Sequence, residues 1–228
     1  FIALCAVILF TPGDALLIAS YTHEFKVRLL LSFATVTFLS AFYEHSRQTS
    51  FIVIRDISEK FERQALYDAL TNLPNRRGIQ KFIDHEINRA KRQQEQLTLI
   101  LCDIDRFKQV NDNYGHDGGD IALKHVANLF KDAIREQDGV ARWGGEEFLF
   151  VLPTTNESNG VVLAEKIRET LQSTPVQIKN SSLTITASFG VAQIQLENGV
   201  NNALSLADKA LYRAKEKGRN KVLSASSL

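Results

Sequence analysis

The chain has 228 residues, 44% hydrophobic and 23% charged, and its 27 Lys and Arg nearly balance 26 Asp and Glu, for a net charge of +1. That profile excludes a disordered chain, and the 12 Gly, 4 Pro and 2 Cys exclude collagen-like and disulfide-rich scaffolds. Near-neutrality also argues against a partner nucleic acid held by bulk charge. The length allows one ordinary domain of roughly 150 residues plus something smaller. With no Met and a start at Phe1, the chain reads as a piece of a longer protein with upstream sequence missing.

Apolar residues are unevenly placed. The opening FIALCAVILF stops at Thr11-Pro12-Gly13-Asp14, a turn signal, and reads as the tail of one membrane span. Residues 25–43 form a second apolar run near the ~20 residues that cross a bilayer, with Lys26 and Arg28 at headgroup level. The alternatives are buried helices of a soluble domain, or a signal peptide at the start; the latter lacks a small-residue cleavage site. Lys and Arg lie on both sides of the second span, so charge alone leaves the orientation open. Cys5 and Cys102 fall in apolar segments and imply no disulfide.

Residues 44–66 read as a linker helix, with Phe51, Ile54, Ile57, Phe61 and Ala65 on a narrow stripe. Such a stripe suits either a short coiled coil with a second copy or an amphipathic helix lying on its own domain. From residue 67 to 228 helical and strand patterns alternate. Helices are expected at 78–95, 119–135, 157–173 and 200–217, the last stopped by Gly218. Strands are expected at 97–104, at 183–194, and in GVARW and EFLFVL joined by Gly144-Gly145, which is hairpin chemistry. This order predicts an α+β fold of ferredoxin-like kind, with helices packed on a sheet.

Two acidic pairs carry the chemistry. Asp103 and Asp105 end the apolar strand, where a carboxylate is costly unless a cation or hydrogen bonds compensate it. For Asp105, capping a turn competes evenly with holding a metal. Glu146 and Glu147 follow the glycines. Because strand side chains alternate, only one of them can readily join Asp103 at a metal.

Together, DIDRFKQVNDNYGHDGGD (Asp103 to Asp120) and RWGGEEF (Arg142 to Phe148) resemble the GGDEF family of diguanylate cyclases. DALTNLPNRR (Asp68 to Arg77) and ADKALYRAKEKGRN (Ala207 to Asn220) extend the resemblance across the soluble domain. Two departures are small: Trp143 stands where Tyr or Phe is usual, and the acidic pair is EE. The resemblance implies a nucleotidyl-cyclase-type sheet. It also implies an enzyme that joins two GTP into cyclic di-GMP and two pyrophosphates, as a homodimer holding one GTP per subunit.

By the same resemblance, Asp103, Glu146 and the carbonyl of Ile104 bind Mg²⁺ or Mn²⁺, and Glu146 is also the proton acceptor. Lys108, with the N–H groups of Phe107 and Lys108, then Lys215 and Arg219, contact phosphate; Arg142 completes the substrate set. Asn111 and Asp120 read guanine, with His116 beside them or stabilising the turn, and Asp120 disfavours ATP. Arg135 and Asp138 form an RxxD inhibitory site for product, five residues before the glycines. The rivals are a silent domain that only binds cyclic di-GMP or dimerises, and a cyclase making a monocyclic product. A GTP-consuming domain faces the cytosol, which implies an inner-membrane anchor, residues 11–24 outside and the chain entering the cytoplasm after Tyr43. The linker helix would relay the membrane part's state by setting how two catalytic domains face each other.

Overall fold

The computed structural model describes residues 22–179 and 181–228. The apolar opening, its Pro12 turn and Cys5 lie outside these residues. The chain divides into two compact units, residues 1–60 and 61–228.

Helix α1 runs His23–Leu66. The expected second span, residues 25–43, and the expected linker helix, residues 44–66, both lie within this helix. Within it an 18-residue stretch of mean hydropathy 1.5 is long and apolar enough to cross a membrane. Phe51, Ile54, Ile57 and Phe61 are exposed along it.

The second unit is an α+β layer structure. Helix α2 (Arg76–Gln93) starts where the Asn75 side chain accepts hydrogen bonds from the Arg77 and Gly78 N–H groups, and it ends at a left-handed Gln94. Strand β1 (Leu97–Ile104) is buried along its whole length, which explains its unbroken apolar run. Helix α3 (Phe107–Ala133) follows, then the hairpin β2 (Gly139–Arg142) and β3 (Glu147–Pro153), and α4 (Glu157–Ser173), capped by Asn156. A small hairpin, β4 (Val176–Ile178) and β5 (Ser181–Leu183), leads to β6 (Ala187–Gln193), α5 (Gly199–Glu216) and β7 (Val222–Ser224).

The main sheet has the order β2-β3-β1-β6-β7. β1 is antiparallel to both β3 and β6, and only β7 runs parallel to its neighbour β6. Alternate residues of β1 feed two cores. Ile100, Cys102 and Ile104 pack with α3 and α4 around Phe130, Phe148, Phe150 and Phe189. Leu97, Leu99 and Leu101 pack with Ile79 and Ile83 of α2 and Ala203, Ala207 and Leu211 of α5. Phe130 is fully buried and meets Phe148 edge-on at 5.1 Å between ring centroids. Gly190 lets β6 touch the α5 backbone, because a Cβ there would run into the Ala207 carbonyl.

Three elements differ from the expected pattern. The expected strand 183–194 is really two pieces, since Leu183 pairs with Val176 in the small hairpin and the main sheet resumes only at Ala187. The hairpin itself was not expected. Helix α3 begins at Phe107 rather than near Gly119, because it is broken at Gly115 (φ 77°) into two helical pieces. The first piece, rich in Asn and Asp, has weak intrinsic helix preference.

Candidate functional site

The parity that buries Leu97, Leu99 and Leu101 against α2 and α5 carries Asp103 to the same face at the strand's end. Glu147 lies directly opposite Asp103 in the antiparallel register, so the two side chains share that face. Lys215, in the last turn of α5, closes on Asp103 with Nζ 2.8 Å from Oδ2. Burial pushes the Asp103 carboxyl above the usual carboxylate range, while Lys215 pulls it back. Burial, and then the charge of Asp103, also push Glu147 upward. The result is a partly desolvated acidic pair with one lysine against it.

Glu146 is half-buried one residue earlier, and its carbonyl accepts the Ile104 N–H. The carboxylate brought opposite Asp103 is thus that of Glu147, a residue absent from the expected ligand set. The signal that could have found it was the β1–β3 register.

Asp105 points elsewhere. Its carboxylate accepts from the Thr186 and Ser188 hydroxyls at 2.8 and 2.7 Å and from the Asn220 N–H at 2.9 Å. Of its two possible roles, holding structure is the one seen.

After Asp105 the backbone turns through Arg106 (φ 54°) into α3, which starts without a side-chain cap. Its first turn therefore offers N–H groups at Phe107 and Lys108, a natural anion site. Phe107 itself buries its ring, while Lys108 is exposed beside it. The Gly115 break brings the second piece of α3 back beside the first. Gly119 has no Cβ, and any there would strike the Asn111 amide, so Asn111 lies across Gly119 next to the exposed Asp120. His116 is exposed at the break. The break thus sets Asn111 against Gly119, one residue before Asp120.

Arg142, expected among the substrate contacts, is engaged within the fold. Nη1 lies 3.0 and 3.1 Å from the two oxygens of Asp68, and Nε and Nη2 donate to the Gly145 carbonyl at 3.1 and 2.8 Å. Asp68 in turn accepts from the N–H and hydroxyl of Thr71. Arg142 thus ties the glycine turn to the DALTNLPNRR segment, with four of its five N–H donors engaged inside the fold. Arg76 stacks over the neighbouring Trp143, 4.5 Å from the ring centroid.

Arg135 and Asp138 lie apart from this cluster, between α3 and β2. The Asp138 carboxylate accepts the Arg135 N–H at 3.1 Å, yet its other oxygen is buried without a hydrogen-bond partner. They line a cleft of about 440 Å³ with Asn159 and Lys166 of α4. A buried acceptor and an exposed guanidinium at a cleft suit a ligand with both donors and acceptors.

Among the described residues, no cluster of three or more His, Cys, Asp or Glu could hold a metal ion alone. The donor set at Asp103 nevertheless fits a hard divalent cation. Such an ion takes one or two carboxylates and fills its remaining positions with water and substrate phosphate.

Residues 65–221 match the GGDEF domain family, whose description reads diguanylate cyclase, GGDEF domain. Among curated relatives, diguanylate cyclase DgcP of Pseudomonas aeruginosa is 38% identical over 164 residues, 72% of this chain and 24% of that protein. The chain thus spans about a quarter of that relative's length. Among solved structures, the GGDEF domain of DgcB from Caulobacter crescentus in complex with c-di-GMP aligns with a TM-score of 0.68 at 32% identity, covering 72% of this chain and 94% of that one. The coiled coil and GGDEF domain of the same protein aligns with a TM-score of 0.70 at 29% identity, over 89% of this chain and 100% of that one. The family match covers strands β1 to β6, both sides of the acidic pair and the cleft at Arg135, and the chain belongs to the GGDEF family of diguanylate cyclase domains.

Proposed function

We propose that the chain is a diguanylate cyclase: two GTP become cyclic di-GMP and two pyrophosphates in a homodimer, each subunit presenting one nucleotide. The observation carrying this reading is the desolvated Asp103–Glu147 pair with Lys215 against it, beside the uncapped start of α3. That arrangement sets carboxylates for a cation next to donors for a triphosphate.

The phosphate chain is gripped by Lys108, Lys215, Arg219 and the N–H groups of Phe107 and Lys108. Asn111 and Asp120 receive guanine. The Asp120 carboxylate accepts from the N1–H and exocyclic amine, a donor pair adenine lacks, so ATP leaves it unpaired. Asp103, the Ile104 carbonyl and an acid of the Glu146–Glu147 pair would hold Mg²⁺ or Mn²⁺. When bound, such an ion neutralises triphosphate charge and lowers the pKa of the 3′-hydroxyl. Glu146, not tied up in the Asp103–Lys215 contact, takes the hydroxyl proton. Each 3′-oxygen then bonds the α-phosphorus of the other GTP as that phosphorus loses pyrophosphate, so two P–O bonds form and two break.

Product would return to Arg135 and Asp138 as an inhibitor. The stripe at Phe51, Ile54, Ile57 and Phe61 would pair two copies, and α1 would anchor the chain in the cytoplasmic membrane. The domain division at 43 and 66 belongs to the same reading.

The test is direct. The chain incubated with GTP and Mg²⁺ should yield cyclic di-GMP by mass spectrometry, and ATP should yield no cyclic product. Glu146→Gln should abolish product while GTP still binds, and Arg135→Ala should remove inhibition by added cyclic di-GMP. Bound GTP with no product from the unaltered chain would overturn the reading.

A further inference from the structure

Three consecutive residues after α5 have positive φ: Gly218 at 107°, Arg219 at 63° and Asn220 at 47°. A helix commonly ends on one left-handed residue, usually Gly. Gly218 serves that purpose here, and the Arg219 N–H reaches back to the Ala214 carbonyl at 3.1 Å. Left-handed backbone at the next two L residues exceeds what a helix end needs, so something else must hold it.

The holder is visible. Asp105, only 9% exposed, accepts the Asn220 N–H at 2.9 Å through Oδ2, the same oxygen that takes the Thr186 hydroxyl. Its Oδ1 takes the Ser188 hydroxyl at 2.7 Å. On the other side of the turn, the Asn220 carboxamide accepts from Arg168 at 3.1 Å and donates to Gln172 at 3.0 Å. The Lys221 carbonyl then receives the Phe189 N–H at 2.8 Å, which starts the β6–β7 pairing. Arg219 is exposed in the middle of this clamped turn, and Lys215, one turn of helix earlier, already touches Asp103.

We propose that Asp105 is a positioning residue for triphosphate binding: its carboxylate clamps the left-handed Gly218–Asn220 turn and thereby sets Lys215 and Arg219 against the Asp103 end of β1. The role is positional: three donors from the fold already share its two oxygens. It rests on the cyclase reading for its substrate, but not for the clamp itself.

The carboxamide isostere separates the two roles. An Asn at 105 can accept the Asn220 N–H and the Thr186 hydroxyl through Oδ1 and donate to the Ser188 oxygen through Nδ2. It therefore keeps the clamp and loses the charge. In the full 228-residue chain, Asp105→Ala should raise KM for GTP about 10- to 100-fold, more than it lowers kcat, because displaced cations bind phosphate poorly. It should also accelerate hydrogen exchange at the Asn220 amide, measured without nucleotide. Asp105→Asn should restore KM and Asn220 exchange to near the original values.

An Asp105→Asn enzyme with kcat lost would overturn the proposal, since the charge itself would then be at work. Unchanged Asn220 exchange in Asp105→Ala would do the same. If Asp105→Ala does not fold, Asp105→Asn decides on kcat, KM and exchange together. A chain that makes no product at all sinks the cyclase reading, while the exchange measurement still judges the clamp.

Discussion

Replacing Arg142 with Lys distinguishes a brace from a ligand contact. A lysine keeps the charge beside Asp68 but has no second and third nitrogen to reach the Gly145 carbonyl, so it forfeits the 3.1 and 2.8 Å bonds. Hydrogen bonds involving a charged group contribute about 1.5–3 kcal/mol each, and two donors sharing one carbonyl count as little more than one. The Arg142 and Asp68 side chains are only 17% and 23% exposed, so solvent screening is modest. The expected loss is therefore about 2 kcal/mol. With a urea slope of roughly 1–3 kcal/mol/M, the midpoint should fall by about 1 M. The chain holds a single tryptophan, and Trp143 adjoins the glycine turn under Arg76, so its fluorescence reports on this region. Urea titration of Arg142→Lys, followed at that tryptophan, is the assay. An unmoved midpoint with a raised KM for GTP would refute the brace and return Arg142 to the substrate.

Other perturbations test neighbouring parts of the structure. Gly190→Ala should cost about 3 kcal/mol, the upper end for overpacking, because the Ala207 carbonyl in its way is backbone; thermal melting measures it. Phe130→Ala, emptying the centre of an aromatic cluster, should cost about 3–5 kcal/mol by the same measurement. Gly119→Ala should leave the fold close to intact but displace Asn111, weakening GTP binding in calorimetry. Burial acts to raise the Asp68 carboxyl, yet hydrogen bonds from Thr71 and the Arg142 guanidinium overcome it and hold the group below its ordinary 3.8. Its stabilising contribution is thus complete above that value and is lost as pH falls through the lower, folded one. The urea midpoints of the unaltered chain and Asp68→Asn should differ at pH 7 and converge only as pH falls below 3.8 through the lower, folded value.

How far the sequence was readable depends on the range of the interactions involved. Strand β1 was legible because eight consecutive buried positions leave a mostly apolar run, and α4 because its buried positions recur with helical spacing. Asp103 was legible for the same local reason, as a carboxylate closing that run. The break at Gly115 was not, since its helical first piece exists through packing of Phe107 and against poor propensity. Leu183, the last residue of the small hairpin, merged with β6 because the alternation continues through Thr184–Thr186. Asp68, which pairs with Arg142, and Asn220, which pairs with Asp105, lie 74 and 115 residues away, and no local pattern announces them. Choosing between Glu146 and Glu147 opposite Asp103 needed the pairing register, which a two-residue motif does not contain.

The long reach from Asp105 to Asn220 also sets a schedule. At synthesis rates of about 5–20 residues per second, the 115 residues between them take roughly 6–23 s to emerge. For nearly all of that interval Asp103 lacks Lys215, the left-handed turn does not exist, and β6 has no β7 to receive. A nascent chain therefore holds only part of this acidic cluster and its clamp until the segment from Lys215 to Asn220 has emerged.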